Sequence, residues 1–572
     1  MVLKASIFSL LWMSVINAQT EMNYSYEMKY GDGKEVTITG PNDLDPEEED
    51  YNYIENILEI NTTFSNGIYL FTQLEYSDPP VLGESIKGIS RFYLDYYWDR
   101  LYLKAGDKYS LQGRGLTLNL MQDQNIDYDN SVRGIEVRYN VLDNLSLFTI
   151  LGQSKYKYRS NPVEREKDLS LDSKLEFVGF EYEHDLIGTL SSSILLNDIS
   201  SDDIKNITDY KLTEYDFTWN GGVNNIDLFI EYVISKTNND AITDGKKFYS
   251  MIYTDIYDYG ITYEYKNYLL NHNYNIISAN PPIVFRESSS TLVSSNAHVI
   301  NWNDEIGHQI EINKKFSDHF IIQANTSLAY SHPKESSPKI SIMDVLKMDG
   351  EADIYHQYPF RQTYVEASGW INNDNIYYKI GIDKFDDFKK NIDNPFSVSA
   401  LTFPSLFTFN ILKNSSVTIY AEYQAREEIN RMPDLLVERT DNYTDQYYSL
   451  TYNHPSLFSV TYFYRQELYK GEWGEYWDIQ YCDLNSGYNQ YQCDDLEGTW
   501  IVEDYDDLYG PPSNSGNIES WQGIDVTYKI NTSTQISLFT GSQKGGLVCA
   551  NGICAVQPGF DDGYKITFRS LF

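Results

Sequence analysis

The chain has 572 residues, a formal net charge of −39 and 15% aromatic residues, with 51 tyrosines among them. So acidic a composition argues against nucleic-acid binding and against a basic patch for anionic lipid. Four cysteines are too few for a disulfide scaffold in a chain of this length.

Residues 1–18 have the layout of a secretory signal peptide. Lys4 precedes an apolar run from Ile7 to Ile16, and Ala18 offers a cleavage site. A membrane anchor is the alternative, but about ten apolar residues are too few to cross roughly 30 Å of hydrocarbon as a helix. We therefore expect an exported chain in a compartment that permits disulfides, followed by a single domain over residues 19–572.

After the signal, apolar residues recur with the period of two that is typical of strands with one dry face. The pattern is clear in residues 417–426, and it recurs in 135–139, 226–232 and 524–530. A first strand is expected near residues 22–30. No later segment approaches 18 continuous apolar residues, so transmembrane helices are not expected.

Short polar turns alternate along the chain with long polar loops. Predicted turns fall at 65–67, 142–144, 220–225, 372–375, 413–416, 453–456 and 531–534. Predicted long loops lie around 278–297, 332–359, 387–397 and 471–516. This asymmetry is typical of a transmembrane β-barrel, whose periplasmic turns are short and whose extracellular loops are longer. We predict an all-β, antiparallel barrel of about 24 strands, and the tyrosines fit aromatic girdles at both membrane interfaces.

The polar faces of these strands should line the barrel lumen and carry both signs of charge. The predicted lumen-facing residues are Glu136, Arg138, Glu422, Arg426, Asp525, Lys529 and Arg569. A lumen of about 24 strands is wide enough for water or a plug.

Residues 113–129 form the first unusual segment. Gly113 and Gly115 flank Arg114 where a strand should end, and glycines there permit a bulge or sharp bend. One hypothesis is that the segment, with Gln122 and three aspartates, folds inward as a constriction and that Arg114 sets local selectivity. The aspartates concerned are Asp123, Asp127 and Asp129. The alternative is an ordinary loop with a β-bulge.

Catalytic and metal motifs are poorly represented. The sequence has no G-x-S-x-G, H-E-x-x-H or P-loop motif, so we expect no enzyme. Three histidines lie on or beside predicted strands 298–313 and 319–331: His298, His308 and His319. They could belong to a barrel hydrolase, but solvated histidines in the lumen or in turns are the simpler explanation. We expect no cofactor.

Divalent cations are the remaining chemical alternative. Acidic runs at 45–50, 493–495 and 503–507 could supply oxygen ligands for an ion such as calcium, but none has EF-hand spacing. Solvated acidic runs are the simpler interpretation.

Two pairs of cysteines lie in the last two predicted loops. Cys482 and Cys493 could staple the largest loop, since their spacing lacks a zinc pattern and no histidine is near. Asn551 and Gly552 favour a two-residue type I′ turn, which would set Cys549 opposite Cys554 on an outward-standing hairpin. A disulfide is the prediction for each pair, and free thiols are the alternative.

The chain ends on an amphipathic strand whose apolar face contains Ile566, Phe568 and the terminal Phe572. Such an ending resembles the C-terminal signal of bacterial outer-membrane proteins, which implies insertion by the barrel-assembly machinery. The closing strand of a soluble β-sandwich is the alternative.

Residues 105–140 and 541–554 together resemble a family of uncharacterised outer-membrane barrel proteins of Bacteroidetes-type bacteria. The matching positions are Asp107, Tyr109, Gly113, Gly115, Leu116, Asn130 and Gly134. Lys108 departs from the pattern, because an aromatic residue is expected there. The resemblance implies location and fold and no activity.

We therefore expect an integral outer-membrane protein that acts as a passive channel or solute-uptake port, with an acidic lumen favouring cations or neutral solutes. The main alternative is a structural or assembly component with a plugged lumen and an unknown protein partner. A soluble β-propeller or adhesin is a third interpretation. Membrane lipid and small solutes are the expected partners, and nucleic acid is not.

Overall fold

The structure is a computed structural model that describes most of the chain. The described residues are 20–37, 47–83, 85–126, 128–158, 169–203, 210–238, 244–270, 290–301, 303–333, 342–347, 357–389, 396–412, 414–432, 437–473, 479–482, 500–503, 515–550 and 553–572. The predicted signal peptide lies outside them.

The described residues form thirty strands and three short helical turns. The strands are β1 (Thr20–Thr37), β2 (Glu47–Phe64), β3 (Ile68–Ser77), β4 (Lys87–Trp98), β5 (Leu101–Lys108), β6 (Gln122–Asp123), β7 (Tyr128–Asp129), β8 (Val132–Leu142), β9 (Leu145–Tyr158), β10 (Leu169–His184), β11 (Gly188–Ser200), β12 (Tyr210–Val223), β13 (Ile226–Thr237), β14 (Gly245–Ile256), β15 (Tyr259–Leu269), β16 (Asp304–Ser317), β17 (Phe320–Tyr330), β18 (Phe360–Ile371), β19 (Ile376–Lys389), β20 (Phe396–Leu412), β21 (Ser415–Met432), β22 (Val437–His454), β23 (Phe458–Trp473), β24 (Ile479–Cys482), β25 (Trp500–Glu503), β26 (Ser515–Lys529), β27 (Thr534–Gln543), β28 (Gly546–Ala550), β29 (Ile553–Gln557) and β30 (Gly559–Leu571). The α-helical turns are α1 (Thr291–Ser294) and α2 (Ile342–Lys347), and a 3₁₀ turn covers Gln124–Ile126. No described helix is long or apolar enough to span a membrane.

Twenty-four of these strands form one closed antiparallel barrel, which confirms the predicted fold and strand number. Each barrel strand pairs with the next one along the chain, and β1 pairs with both β2 and β30, so the sheet has no free edge. The remaining strands form three two-stranded hairpins, β6–β7, β24–β25 and β28–β29.

The barrel has two different ends. All seven predicted turns connect consecutive barrel strands at one end, which we call the turn end. The long connections lie at the opposite end, the loop end, as predicted. One strand boundary was wrong, because β16 begins at Asp304 rather than at residue 298. The residues before it leave the sheet and fold into the barrel.

Side chains alternate between the outer and inner faces of the barrel as the period of two predicts. On β21, Ile419 and Tyr423 are 44% and 43% exposed on the outer face, whereas Glu422 and Gln424 are 2% and 1% exposed on the inner face. Exposed apolar residues continue around the outer face, for example Phe217 on β12 and Leu538 on β27. The outer face is therefore a continuous apolar surface.

Aromatic residues concentrate on the outer face near the turn end. Trp98 is 65% exposed beside one turn, and Tyr257 lies within another. Phe316 and Phe320 flank a third turn and stack with ring centroids 5.3 Å apart. This arrangement is the aromatic girdle expected where a barrel meets the membrane–water interface.

The inner face is apolar as well on β9, β10 and β11. Phe148, Leu175, Phe177 and Leu195 are buried there. A strand with two apolar faces has to be covered on both sides. The inner cover is the connection between β5 and β8.

Candidate functional site

The barrel interior is the candidate site because three stretches of chain fold into it. We call residues 109–131 the first inner segment, residues 290–303 the second inner segment, and residues 546–557, which form β28 and β29, the terminal hairpin. Each is connected to the loop end of the barrel.

The first inner segment is held by one carboxylate of the barrel wall. Glu231, on the inner face of β13, accepts the backbone N–H of Arg114 at 2.5 Å and that of Leu116 at 3.0 Å. Gly113 and Gly115 have φ values of +56° and +92°. A Cβ at Gly113 would lie 2.6 Å from the Glu231 carboxylate. The two glycines therefore provide the left-handed backbone and the close approach that this contact needs.

A buried lysine completes this anchor. The Nζ of Lys247 donates to the carbonyl oxygen of Leu116 and lies 2.8 Å from Glu214 Oε1. Both charged side chains are almost fully buried. Burying a charge without partners is very costly, so these contacts fix the segment in one position. The Leu116 side chain packs into an apolar cluster with Phe229 and Val233.

Apolar side chains seat the rest of the first inner segment. Leu118, Leu120, Ile126 and Tyr128 are buried in one cluster with the inner-face residues of β9, β10 and β11. Fully burying one such side chain contributes about 1.5–3 kcal/mol. The segment is thus a folded part of the barrel interior and not a solvated loop.

Residues that match the family pattern lie at the two ends of the first inner segment and stabilise its backbone. Asp107 is buried, makes two contacts with the guanidinium of Arg133 at 2.6 and 3.0 Å, and accepts the backbone N–H of Phe92. Asn130 closes the segment, because its side chain bonds the backbone of Asn119 and Met121, each at 2.7 Å. At Gly134 a Cβ would lie 1.9 Å from the Leu151 carbonyl oxygen.

The predicted constriction residues fall at different depths. Arg114 is exposed toward the interior, and its guanidinium carbon lies 5.3 Å from the ring centroid of Phe229. Asp123 lies in the small hairpin β6–β7, and Asp127 lies outside the described residues. Asp129 accepts the Tyr109 hydroxyl at 3.3 Å and the Ser131 N–H at 2.8 Å. Burial raises the pKa of Asp129.

The second inner segment is anchored in a similar way on another part of the wall. Both carboxylate oxygens of Glu422 accept backbone N–H groups of α1, from Thr291 at 2.8 Å and Leu292 at 2.7 Å. Gln424, two residues further along β21, bonds the side chain of Asn296 and the carbonyl of Leu292. Glu422, predicted to face the lumen, therefore serves as an internal anchor.

His298 holds the other end of this segment. Its ring stacks on Phe360 with centroids 4.1 Å apart, and its nitrogens lie 3.1 Å from Asp387 and 3.4 Å from Glu305. Burial lowers the pKa of His298, but the two carboxylates outweigh it and raise the value to about 9. The prediction of a solvated histidine was wrong for His298, which is 8% exposed.

The two other candidate histidines lie elsewhere. His308 lies on the outer face, and its ring is 4.9 Å from that of Tyr265. The His319 ring lies in a turn against the Trp370 carbonyl at 2.5 Å. The structure therefore does not bring the three histidines together.

The terminal hairpin has the predicted register. Ala550 pairs with Ile553 and Cys549 pairs with Cys554, so the backbones of the two cysteines face each other. The turn residues 551 and 552 and the cysteine side chains lie outside the described parts, and the disulfide stays a prediction.

The terminal hairpin does not stand outward as expected. Its Cα atoms come within 8 Å of those of the 3₁₀ turn Gln124–Ile126 and of α1. It begins after Lys544, whose Nζ contacts Glu467 on the inner face of β23. The hairpin thus reaches both inner segments inside the barrel.

The remaining predicted lumen residues are mostly partnered. Arg426 contacts Glu428, Asp445 and Glu467. Asp525 lies 3.4 Å from the Thr527 hydroxyl, and Lys529 donates to the Pro455 carbonyl at the turn end.

The lumen residues of β8 and β30 are also in contact with neighbours. Glu136 is buried beside its register partner Lys104, and Arg138 lies 3.8 Å from Glu181. Arg569 contacts Glu27 across the closing pair of strands.

The remaining predicted positions are at the chain end and in the largest loop. Phe572 exchanges two backbone hydrogen bonds with Tyr24, at 2.8 and 3.1 Å, and Phe568 lies on the outer face against Tyr26. Cys482 ends β24, whereas Cys493 lies outside the described residues. So do most of the predicted calcium runs, and within the described parts no group of three or more potential ligands could hold a metal ion.

Sequence reasoning missed Glu231, Lys247, Glu214 and Asp387 as anchors. Glu231 falls within the alternating residues 226–232, and the alternation alone does not distinguish it from other positions of that face. A signal that could have identified Glu231 is an ionisable side chain between two apolar residues of the same strand face, Phe229 and Val233.

One family model and several solved structures match this chain. A model of a family of unknown function, DUF6029, matches residues 42–428. This range contains the first block of the family pattern and ends before the terminal hairpin. A search of curated proteins found no match.

Several solved structures are similar at low identity. A BenF-like porin from Pseudomonas fluorescens Pf-5 is 11% identical with a TM-score of 0.36, over 72% of this chain and 98% of the other. Pseudomonas aeruginosa OpdO is 9% identical with a TM-score of 0.36, over 72% and 97%. The outer membrane transporter YddB from Escherichia coli is 8% identical with a TM-score of 0.38, over 95% and 80%.

Proposed function

Because this chain belongs to the family of unknown function DUF6029, its role has to be argued from its own barrel, and we propose that it is a solute-uptake port of a bacterial outer membrane. The observation that carries the proposal is the contrast between the two faces of the same closed sheet. The outer face is apolar with an aromatic girdle, and the inner face carries ion pairs and hydroxyl groups. A closed barrel also satisfies every backbone group in lipid.

The inner segments would narrow the port. The first inner segment is fixed to the wall by Glu231 and Lys247, and Arg114 is the exposed cation on it. We propose that this segment is the constriction and that Arg114 sets local selectivity. The net charge of −39 supports a preference for cations or neutral solutes.

The membrane partners follow from the outer face. Bilayer lipid would cover the apolar belt, and the assembly machinery would recognise the C-terminal strand through Phe568 and Phe572. A Bacteroidetes-type source is what the resemblance of residues 105–140 implies.

A plugged barrel that binds a protein partner is the second candidate. The observation in its favour is that the terminal hairpin meets both inner segments. Such a protein would use its loop-end surface for recognition and would conduct little.

Conductance of the purified, folded protein in a planar bilayer separates the two candidates. Stable steps, with a reversal potential that shifts toward the cation potential across a salt gradient, support the port. A heat-modifiable barrel that remains electrically silent would favour the plugged alternative, and the next experiment would be affinity capture on the loop-end surface.

A further inference from the structure

One wall of the barrel carries a row of aromatic rings on its inner face. Tyr420, Tyr447, Phe463, Phe539 and Phe560 belong to β21, β22, β23, β27 and β30. Successive ring centroids are 5.9, 6.2, 6.0 and 6.3 Å apart. These spacings lie within the range of about 4.5–7 Å for aromatic contacts, so the rings form one continuous row, which we call the aromatic track.

The aromatic track faces the lumen and not the lipid. Tyr420 and Tyr447 share the face of Glu422, and Phe463 shares that of Arg465. Four of the rings are half-buried and only Phe560 is fully buried, so their faces remain partly open to the interior. Barrel strands are tilted by about 35–45°, and a row that crosses neighbouring strands therefore also advances along the barrel axis.

Hydroxyl groups line the turn-end side of the aromatic track. Neighbouring strands contribute three pairs on the same inner face: Thr408 with Thr418 at 3.0 Å, Thr451 with Thr461 at 2.9 Å, and Thr527 with Ser537 at 2.7 Å. A hydroxyl has one donor and two acceptor positions, so the two threonine pairs each keep a donor and several acceptors for another molecule. The third pair keeps acceptors only, because the Thr527 hydroxyl also donates to Asp525.

Two charged groups on the loop-end side of the track, Glu422 and Arg426, are held by internal contacts. Glu422 accepts two backbone N–H groups of α1, and Arg426 contacts three carboxylates. At the other end of the row, Lys565 lies over the rings of Phe539 and Phe560 and donates to Gln543. A charged solute would have to compete with these contacts, whereas a neutral one would not.

We infer that the aromatic track is a binding path for a neutral, hydroxyl-rich ring compound, that is, a carbohydrate chain. The apolar faces of sugar rings can lie on the aromatic rings while their hydroxyl groups bond the threonine and serine pairs. Apolar and aromatic surface with a few placed polar groups is the usual composition of a small-molecule site. The inference rests on the proposed function, because it names the class of solute that the port takes up.

The test uses the full-length protein and a linear oligosaccharide of the maltose series. Binding is measured by titration calorimetry in detergent, and interruption of ion current is measured in planar bilayers. Phe463→Ala and Phe539→Ala each remove one ring. Tyr462→Ala and Leu538→Ala are matched controls, because these residues are exposed on the outer face of the same strands.

The expected result is binding to the unaltered protein that weakens about threefold to tenfold for each ring removed, while the outer-face controls bind normally. Phe463→Tyr keeps a ring and should bind like the unaltered protein, and heat-modifiable migration shows that each variant is folded. A folded protein that does not bind the oligosaccharide, or ring variants that bind it equally well, would overturn the inference.

Failure of the track and failure of the port give different results. If the oligosaccharide gives no heat of binding and leaves the conductance steps unchanged, the protein is a port and the aromatic track is not its carbohydrate path. If the protein gives no conductance steps but binds the oligosaccharide in a way that depends on the rings, the aromatic track is a carbohydrate site and the proposal of a port is wrong.

Discussion

Single side chains decide where the inner segments lie. Glu231 and Glu422 lie on different parts of the wall, and each accepts two backbone N–H groups from a segment that has left the sheet. A carboxylate that accepts two such bonds forms charge-assisted hydrogen bonds, which are the strong class. Each of the two residues thus holds against the wall a segment that does not pair with the barrel sheet.

Glu231→Ala should loosen the first inner segment. Two buried N–H groups would lose their acceptor, at a cost of about 1–3 kcal/mol each. We expect a lower midpoint of thermal unfolding and larger, noisier conductance steps in planar bilayers. Asp227→Ala is the matched control, because Asp227 is an exposed carboxylate near the turn end of the same strand. Equal conductance and stability for the two variants would contradict the anchoring role.

His298 should make the second inner segment sensitive to alkaline pH. The groups that face it are Asp387 and Glu305, and Glu305 is also paired with Lys266. Because the pKa of His298 is raised to about 9 from 6.5, its stabilising contribution is complete below pH 6.5 and is lost as pH rises through 9.

Thermal unfolding between pH 6 and 10 measures this effect, with the pH steps chosen around the raised pKa. The unaltered protein should lose stability across pH 9, and His298→Gln should be less stable at pH 6.5 by about 3–5 kcal/mol, the range for breaking a buried ion pair. The variant should also lack the alkaline step. A step of the same size in His298→Gln would exclude this residue as its source.

At the scale of elements, local chemistry determined what the sequence could predict. The seven turns, the long loops and the register of the terminal hairpin were all correct, because a period of two and the Asn551–Gly552 pair act over a few residues. The positions of the inner segments were not predictable in this way. The contact between Arg114 and Glu231 joins residues 117 positions apart, and no short sequence pattern predicts it.

The terminal hairpin carries two cysteines whose oxidation state can be measured directly. With Cys549 and Cys554 opposed, we expect a disulfide, and closing so short a loop contributes about 2 kcal/mol in the chain-entropy model. Mass spectrometry of proteolytic fragments without reduction should show a single linked peptide. Cys549→Ser should release the link, whereas Ala555→Ser on the other strand of the hairpin should keep it. Recovery of both thiols in free form from the exported protein would refute the bond.

On the scale of the whole molecule, the outer face predicts how the barrel is oriented in lipid. Trp98 is 65% exposed at the turn end. Trp521 lies inside the barrel, where its ring centroid is 5.1 Å from the Nζ of Lys544. Only the outer ring should be accessible to lipid.

Fluorescence quenching by lipids brominated near the headgroup tests this orientation in vesicles. Quenching should fall clearly in Trp98→Phe and remain unchanged in Trp521→Phe, because the inner ring is shielded by the wall. Equal quenching in both variants would mean that the apolar belt does not face the bilayer.

The closing pair of strands has a consequence for biogenesis. Arg569 and Glu27 meet although 542 positions separate them along the chain, and Phe572 bonds Tyr24. Synthesis produces β1 first and its second partner last, so β1 presents an unpaired edge until the final strand arrives. An unpaired edge recruits other strands, and contacts between such distant residues form slowly. Closure is therefore the last step of folding, and the growing sheet needs a chaperone at its open edge until the two ends of the chain meet.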